Sequence, residues 1–560
     1  MVNGILWRLR TGAPRPHPAF PSDRDPLRLR LAGAALAPAA PEGRAPDRMR
    51  PGAETIGAPS CAAASRQVGS YRTRLGGAPA GSFHSLIPTA RVGFMADQAP
   101  GPGCRPIIAF VGGGASATLT AIALLRATTW LRLPYHVVLL DEHGRHARGV
   151  AYSTGDDRHL LNSPAKGMAA LPDQPGHLVE WAVRRGLRCG PETFLPRRAY
   201  GDYLAETLAE TARWAVPHAT VEQRTARVVR ARGTGDGVVL HLAGGERLTA
   251  AAAVVATGNA PPDPLPGPAG LPGVVADPWH PVSGVARLRP RADVLAVGTG
   301  LTMADVALTL TAAAPDVVVH AVSRHGMLAH RHRPPLVTPP GLVDLAHADG
   351  PLPLRELTRR VRAAIADYPG DWRHVVDSLR PHVPELWQGL SAAEQRLFLA
   401  RLARYWESAR HRMAPEVADR LAALRAAGRL RLHTGRVSEL RAGPSGVRAV
   451  LGDGGRLDVG TVVNCTGANP GAAPFVRALL DDGLARPNHL GLGVDTCPRG
   501  ALVTPSGRVS RRLLALGPVR RGQLYETTAI PEIRAQAEQL AQRIADSVLR
   551  GRAIEPTVVP

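Results

Sequence analysis

The chain has very little of what would mark it as a thiol-redox, metal-binding or membrane protein. Its 560 residues include five cysteines, Cys61, Cys104, Cys189, Cys465 and Cys497, with no Cys-x-x-Cys pair. That absence argues against a dithiol shuttle and against thiol-based metal spacing. His325, His330 and His332 fall in an arginine-rich loop without acidic or thiol partners, so they read as a solvated basic loop and no metal is expected. No run of about 18 apolar residues exists, so no membrane span is expected. No secretory apolar core precedes a cleavage site either, and the cytoplasm is the expected location. Lysine is reduced to Lys166 alone, and aromatics make up 4% of the chain. The formal charge of +22 would ordinarily point to a nucleic acid. Here the excess is arginine in a chain rich in alanine, glycine and proline, a bias that codon supply alone produces. Aromatic and basic residues do not interleave into a base-stacking platform, so no nucleic-acid partner is expected.

What is present divides unevenly. The first 94 residues carry 13 arginines against 5 acids with almost no periodicity, too little patterned apolar surface to fold. Positions 1–104 read as a disordered extension, and Met95, followed by a short polar lead, is the expected translation start. Beyond it the length allows two to four domains.

Two glycine turns dominate that remainder. Val111-Gly112-Gly113-Gly114-Ala115-Ser116-Ala117 and Val297-Gly298-Thr299-Gly300-Leu301-Thr302-Met303 each follow a short apolar run and open a helical pattern. Strand, tight turn and helix make a Rossmann unit. Its first glycine forms the turn, its second admits a pyrophosphate, and the helix N-terminus supplies free N–H groups. The third position is Ala117 in one copy and Met303 in the other, and methionine there weakens the second match. The next strand of the first copy, from Tyr135, ends at Asp141, where an acid accepts hydrogen bonds from a ribose diol. The corresponding strand of the second copy ends in Ser323-Arg324-His325-Gly326. A guanidinium there pairs with a 2′-phosphate, pointing to NADPH over NADH, although a surface arginine in an arginine-rich chain reads the same way. Val254-Val255-Ala256-Thr257-Gly258 and Val462-Val463-Asn464-Cys465-Thr466-Gly467 are buried strands of the kind that carry the chain beneath the first cofactor and on to the next domain.

With these strings the chain resembles the bacterial FAD/NAD(P)-binding proteins whose flavin domain is shared with a flavin-dependent urate hydroxylase and an aspartate N-monooxygenase. The resemblance spans positions 106–543. It rests on the two glycine turns and on Arg148-Gly149-Val150-Ala151-Tyr152-Ser153, His159-Leu160-Leu161-Asn162-Ser163-Pro164-Ala165, Arg410-His411-Arg412-Met413-Ala414-Pro415 and Leu524-Tyr525-Glu526-Thr527-Thr528. It implies an α/β fold with two Rossmann-like dinucleotide-binding domains, one for FAD and one for NADPH (or NADH), and a helical insertion. The expected boundaries are 105–260 with 430–545 for the flavin domain, 261–340 for the nicotinamide domain, 341–429 for a helical substrate cap and 546–560 for a tail.

Gly112, Gly114, Ser116, Ala117, Asp141, Thr257, Gly258, Thr466, Gly467, Gly517 and Thr528 are the expected flavin-side contacts, and Gly298, Gly300, Thr302, Ser323 and Arg324 the nicotinamide-side ones. The polar positions His159 and Asn162 are expected to face the flavin, Asn162 at the isoalloxazine edge. Lys166 is expected to stabilise its reduced anionic edge or meet an anionic substrate, chance retention of a single lysine being equally consistent. Arg410, His411 and Arg412, two guanidiniums flanking an imidazole, would suit a carboxylate or an acidic heterocycle. The last helix, with Pro531 in its first turn, would direct its positive end at the flavin pyrimidine ring.

The expected reaction is NADPH reduction of FAD followed by dioxygen activation and hydroxylation of a small polar or anionic molecule. Against it, Leu271 to Asp277 carries aspartate where the Phe-x-Gly-x-x-x-His signature of flavin monooxygenases has histidine. A reductase or dehydrogenase without oxygen chemistry, and a non-catalytic FAD/NAD(P)-binding protein, stand as alternatives.

Overall fold

The computed structural model describes residues 105–333, 339–347 and 350–549. The extension expected over 1–104, with its Met95 start, and residues 550–560 of the tail lie outside them.

The first Rossmann unit is β1 (Ile107–Val111), α1 (Ala115–Trp130) and β2 (Tyr135–Asp141). It continues through α2 (Arg197–Ala215) to β3 (Ala219–Thr225). A three-stranded antiparallel meander (Val228–Gly233, Val238–Leu242, Arg247–Ala250) then leads into β4 (Ala252–Val255). The second unit repeats the plan with β5 (Val294–Val297), α3 (Leu301–Ala313) and β6 (Val319–Ser323).

Six helices follow: α4 (Leu354–Asp367), α5 (Trp372–Ser378), α6 (Val383–Gly389), α7 (Ala392–Arg401), α8 (Ala403–Arg410) and α9 (Pro415–Ala426). They return to β7 (Leu430–Thr434). A second meander (Val437–Gly443, Gly446–Leu451, Arg456–Val459) enters β8 (Thr461–Asn464). The chain closes with β9 (Ala501–Val503), β10 (Val509–Ala515) and α10 (Ile530–Leu549).

The first sheet runs β9-β10-β4-β1-β2-β3, parallel except for the β9/β10 pair. The second runs β7-β6-β5-β8 and ends on the short strand Val274–Val275, all parallel. β1 and β5 are apolar throughout because both of their faces are covered. Ile108 and Phe110 point into the core under α1, α2 and α10, while Ala109 and Val111 point into the core under the first meander. Val294 and Ala296 face α3, and Leu295 and Val297 face the second meander. This period-two alternation is how one continuous apolar strand supplies two cores.

The topology corrects the expected boundaries. β7 and β8, placed by the sequence in the flavin domain, hydrogen-bond into the second sheet, and the second meander, a separate sheet, lies between them in the chain, so the helical insertion lies inside the second domain and the chain returns to the first only after Asn464. The register of β8 on β5 decides this, with Thr461 opposite Val294 and Asn464 opposite Val297. The final helix also runs to Leu549, so residues 546–549 are helix rather than tail.

Candidate dinucleotide sites

Both glycine turns solve the same steric problem. Gly112 has φ +109°, and a Cβ there would lie 2.2 Å from the Ala256 carbonyl oxygen just beyond β4. Gly298 has φ +116°, and its Cβ would lie 2.2 Å from the Cys465 oxygen beyond β8. Only glycine permits this backbone approach. Thr257-Gly258 and Thr466-Gly467 are thus equivalent parts of the two domains, and Thr466 and Gly467 belong to the second site, not the flavin side. Gly114 and Gly300 precede helices α1 and α3 without any side-chain cap, and neither helix has an acid in its first turn. Four backbone N–H groups at each end therefore lack helical partners and face the crevice where α/β sheets bind ligands. Met303, the departure at the third glycine position, is fully buried in the core of the second domain, which takes up its side chain.

The strand ends differ. Asp141 accepts backbone N–H groups from Gly113 at 3.3 Å, His143 at 3.0 Å and Arg145 at 2.9 Å. A carboxylate has about four lone-pair sites, so about one is left for a ribose hydroxyl. Glu142, the next residue, is half exposed and 3.7 Å from Arg227. Thr257 Oγ1, at the end of β4, and Thr527 Oγ1, just before α10, are buried without a hydrogen-bond partner. Gly517, at φ +75°, donates its N–H to Gln536 Oε1 on α10 at 2.9 Å, and its absent Cβ would lie 2.9 Å from Ser116 Oγ. Uncapped helix, acid-ended strand and orphaned hydroxyls together fit a dinucleotide with a ribose diol.

In the second domain the crevice is a cleft of about 830 Å³, within the range of ligand pockets. Its lining includes Gly298, Gly300, Thr302, Ser323 and Arg324 as expected, and adds Arg404 and Arg436, which the sequence reading missed. Ser323 Oγ lies 2.8 Å from Thr299 Oγ1 and accepts the Gly326 N–H at 3.1 Å, fixing the turn that carries Arg324. Arg404, on α8, donates to Thr299 Oγ1 at 3.0 Å and to the Met327 carbonyl. Burial holds its pKa below the ordinary arginine value against the opposing pull of Glu407, with Arg324 adding to the depression. No local pattern marks Arg404, because it reaches the cleft from the helical insertion. The segment that follows β4 is tied to this site: Asn464 Nδ2 donates to the Asp263 carbonyl at 2.8 Å and Asn464 Oδ1 accepts from Thr466 Oγ1 at 2.7 Å.

The cleft also reaches Asn162 and Thr528 from the first domain and His411 from the insertion. His332 joins the halves by donating its Nε2–H to the Asn162 carbonyl at 2.9 Å. Burial, reinforced by Arg412, lowers its pKa to about 4, so it is a buried clasp rather than part of a solvated loop. His159 is a second clasp. Its Nε2 lies 2.8 Å from Thr309 Oγ1 and 3.2 Å from the Asp305 carbonyl on α3, which places it against the second domain rather than the expected flavin face. Arg197 pairs with the buried Asp305 at 3.0 Å beside it.

Three expected substrate contacts have protein partners in the structure. Lys166 donates to Glu192 at 2.6 Å in a pair that is about one-third exposed. Arg410 sits 3.2 Å from Glu526 and 3.6 Å from Glu532 as buried ion pairs. Arg412, 1% exposed, donates to Asp377 and to the Ala409 carbonyl. Buried charges must be paired, and carboxylates distant in sequence already pair these two. Of the triplet only His411 lines the cleft, its pKa lowered to about 3 by burial and by Arg410.

Residues 109–260 match the profile of a family described as FAD-NAD(P)-binding. No curated protein matches the chain by sequence. Among solved structures it is similar to the reduced ornithine hydroxylase of Pseudomonas aeruginosa, with a TM-score of 0.51 at 15% identity over 79% of this chain and 99% of that one. It is similar to the L-lysine 6-monooxygenase of Pseudomonas syringae, with a TM-score of 0.51 at 14% identity over 79% of this chain and 100% of that one. A thioredoxin reductase of Lactococcus lactis also matches, at a TM-score of 0.42 and 13% identity over 80% and 100% of the two chains. The first domain of this protein thus carries the FAD-NAD(P)-binding match, and the chain shares the fold of the ornithine hydroxylase and the L-lysine 6-monooxygenase, here with two Rossmann-like domains.

Proposed function

We propose that this protein is an FAD-dependent oxidoreductase that draws two electrons from NADPH and delivers them to dioxygen, one oxygen atom entering a small organic substrate and the other leaving as water. The observation that carries the reading is the single cleft that runs from Arg324 in the second domain to Asn162 and Thr528 in the first. A dinucleotide seated on the Gly298 turn would extend along it towards the flavin domain. Bound FAD would supply the chemistry, accepting a hydride and, once reduced, passing electrons to oxygen.

The chain's own residues prepare that transfer. The uncapped N-termini of α1 and α3 each present about half a positive charge to a pyrophosphate. Arg324 and Arg436, exposed at the rim, meet a 2′-phosphate, and Arg404 holds the Thr299 turn beneath them. His411, neutral near pH 7, offers a hydrogen bond without a charge. A thiol relay has no support, since Cys465 in the cleft has its pKa raised by burial and the chain has no Cys-x-x-Cys pair.

A reductase without oxygen chemistry is the second reading. It is favoured by Asp277, whose carboxylate accepts the Trp279 N–H at 2.9 Å where monooxygenase signatures carry histidine. Comparing NADPH oxidation in air and under argon, with product analysis for incorporated oxygen, separates the two. Oxygen-dependent turnover with labelled oxygen in the product supports the first. Undiminished anaerobic turnover supports the second.

A further inference from the structure

The helical insertion contains a cavity to which the dinucleotide sites give no task. It holds about 180 Å³ among α4, α5, α6, α7 and α8, and Tyr525 lines it too. Of its nineteen lining residues only Arg362 is charged. Several polar atoms of that lining are spent on protein partners. Trp387 Nε1 donates to the Gly522 carbonyl at 2.9 Å, Trp406 Nε1 to Glu526 Oε1 at 2.9 Å and Thr358 Oγ1 to the Leu354 carbonyl at 2.7 Å. A charged occupant would lose its hydration and recover little, whereas an apolar one would lose nothing.

Two observations set this cavity apart from loose packing. The cavity opens to solvent much as the dinucleotide cleft does, so a ligand has a way in, and its volume is several times that of a water molecule. Its wall is also built at a backbone cost: Tyr525 is held at φ +60°, a region tyrosine rarely adopts, with its ring 4.8 Å from Trp387 and 5.2 Å from Phe398.

The cavity shares a wall with the dinucleotide cleft. Arg404 and Glu407 of α8, with His411 just after it, line the cleft, while Tyr405, Trp406 and Ala409 line the cavity. Helical spacing thus gives one helix two faces, one charged and one apolar. The segment before α10 is divided in the same way, with Tyr525 on the cavity and Thr528 on the cleft.

We propose that this cavity binds a small neutral apolar group, about one aromatic ring in size, carried by the molecule that the protein oxidises. An apolar cavity of about 150 Å³ is known to take up benzene, which sets the scale. The assignment departs from the small polar or anionic substrate expected from Arg410 and Arg412, whose guanidiniums are paired. Its place in the reaction rests on the oxidoreductase reading, but occupancy of the cavity does not.

The test titrates the flavin-loaded protein with toluene and follows tryptophan fluorescence, because Trp372, Trp387 and Trp406 all line the cavity. Ala409→Phe and Val361→Phe fill it from two different helices, and the folding of each variant is checked by its flavin absorption and unfolding temperature. A saturable change in the wild type is expected, at least tenfold weaker in a folded filled variant, with benzoate at least tenfold weaker than toluene. Bound toluene is further expected to change the rate of flavin reduction by NADPH at least twofold through the shared wall of α8. Absence of saturable binding, equal binding in the filled variants, or benzoate matching toluene overturns the site, even if NADPH reduces the flavin normally. Toluene binding as expected in a protein with no reducible flavin, or with no change in reduction rate, leaves the cavity as a binding site and overturns its part in the reaction. If neither filled variant folds, the contrast between toluene and benzoate in the wild type decides.

Discussion

The two Rossmann domains share a backbone and differ in the side chains at the end of their second strand. In each, a glycine at φ above +100° passes within 2.2 Å, measured from its absent Cβ, of a carbonyl just beyond the neighbouring strand of its sheet. In each, the helix that follows has an uncapped N-terminus. One strand then ends in Asp141, tied by three backbone N–H groups, and the other in Ser323-Arg324 with Arg404 and Arg436 around the same cleft. The comparison teaches that the turn provides for a pyrophosphate of any dinucleotide, whereas an acid or a guanidinium one strand later selects which dinucleotide binds.

The largest test exchanges the shared element. Gly112→Ala is expected to abolish flavin retention on purification, read by visible absorption. Gly298→Ala is expected to keep the flavin yet weaken NADPH more than a hundredfold, read by anaerobic titration. Loss of flavin from both would break the assignment of one turn to each cofactor. Next in size, Arg324→Ala should weaken NADPH by about ten- to a hundredfold, the worth of a charge-assisted hydrogen bond, and leave NADH within about twofold. An equal loss for both nucleotides would remove the 2′-phosphate from the account. Asp141→Ala should raise the flavin dissociation constant by about tenfold without touching NADPH.

Much of this contrast was legible in the sequence, because glycine turns and strand-end charges are local. The domain boundary was not. β7 is a five-residue strand with only two apolar side chains and β8 a four-residue one, patterns that suit either sheet, and only their pairing with β6 and β5 assigns them. Arg410 and Arg412 misled for a related reason, since Glu526, Glu532 and Asp377, which neutralise them, lie far away in the chain. Arg404 went unnoticed because its helix belongs to an insertion whose packing no local pattern reports. Met303 looked like a defect in the fingerprint and proved to be a core residue.

Two smaller tests concern what lies between the domains. His332, buried and neutral at the Asn162 clasp, has its pKa depressed to about 4 from an ordinary value of 6.5. The unfolded chain therefore binds the extra proton first, so the contribution of this histidine is complete above pH 6.5 and is lost as the pH falls towards 4. Over that window the wild type should lose up to about 1.4 kcal/mol per pH unit more than His332→Gln, measured by denaturant unfolding. Parallel curves would mean the clasp is not buried in solution. Smallest of all, Lys166→Ala should change flavin reduction and turnover by less than about twofold, as its pairing with Glu192 implies. A larger loss would return Lys166 to the active site.

The central claim is that one dinucleotide in the second domain reduces another in the first. Anaerobic titration of the flavin-loaded protein with NADPH tests it most directly. Bleaching of the flavin absorption band by about one equivalent of NADPH, with NADH far less effective, is the predicted result. A protein that takes up no FAD, or whose bound flavin stays oxidised under excess NADPH, would contradict it.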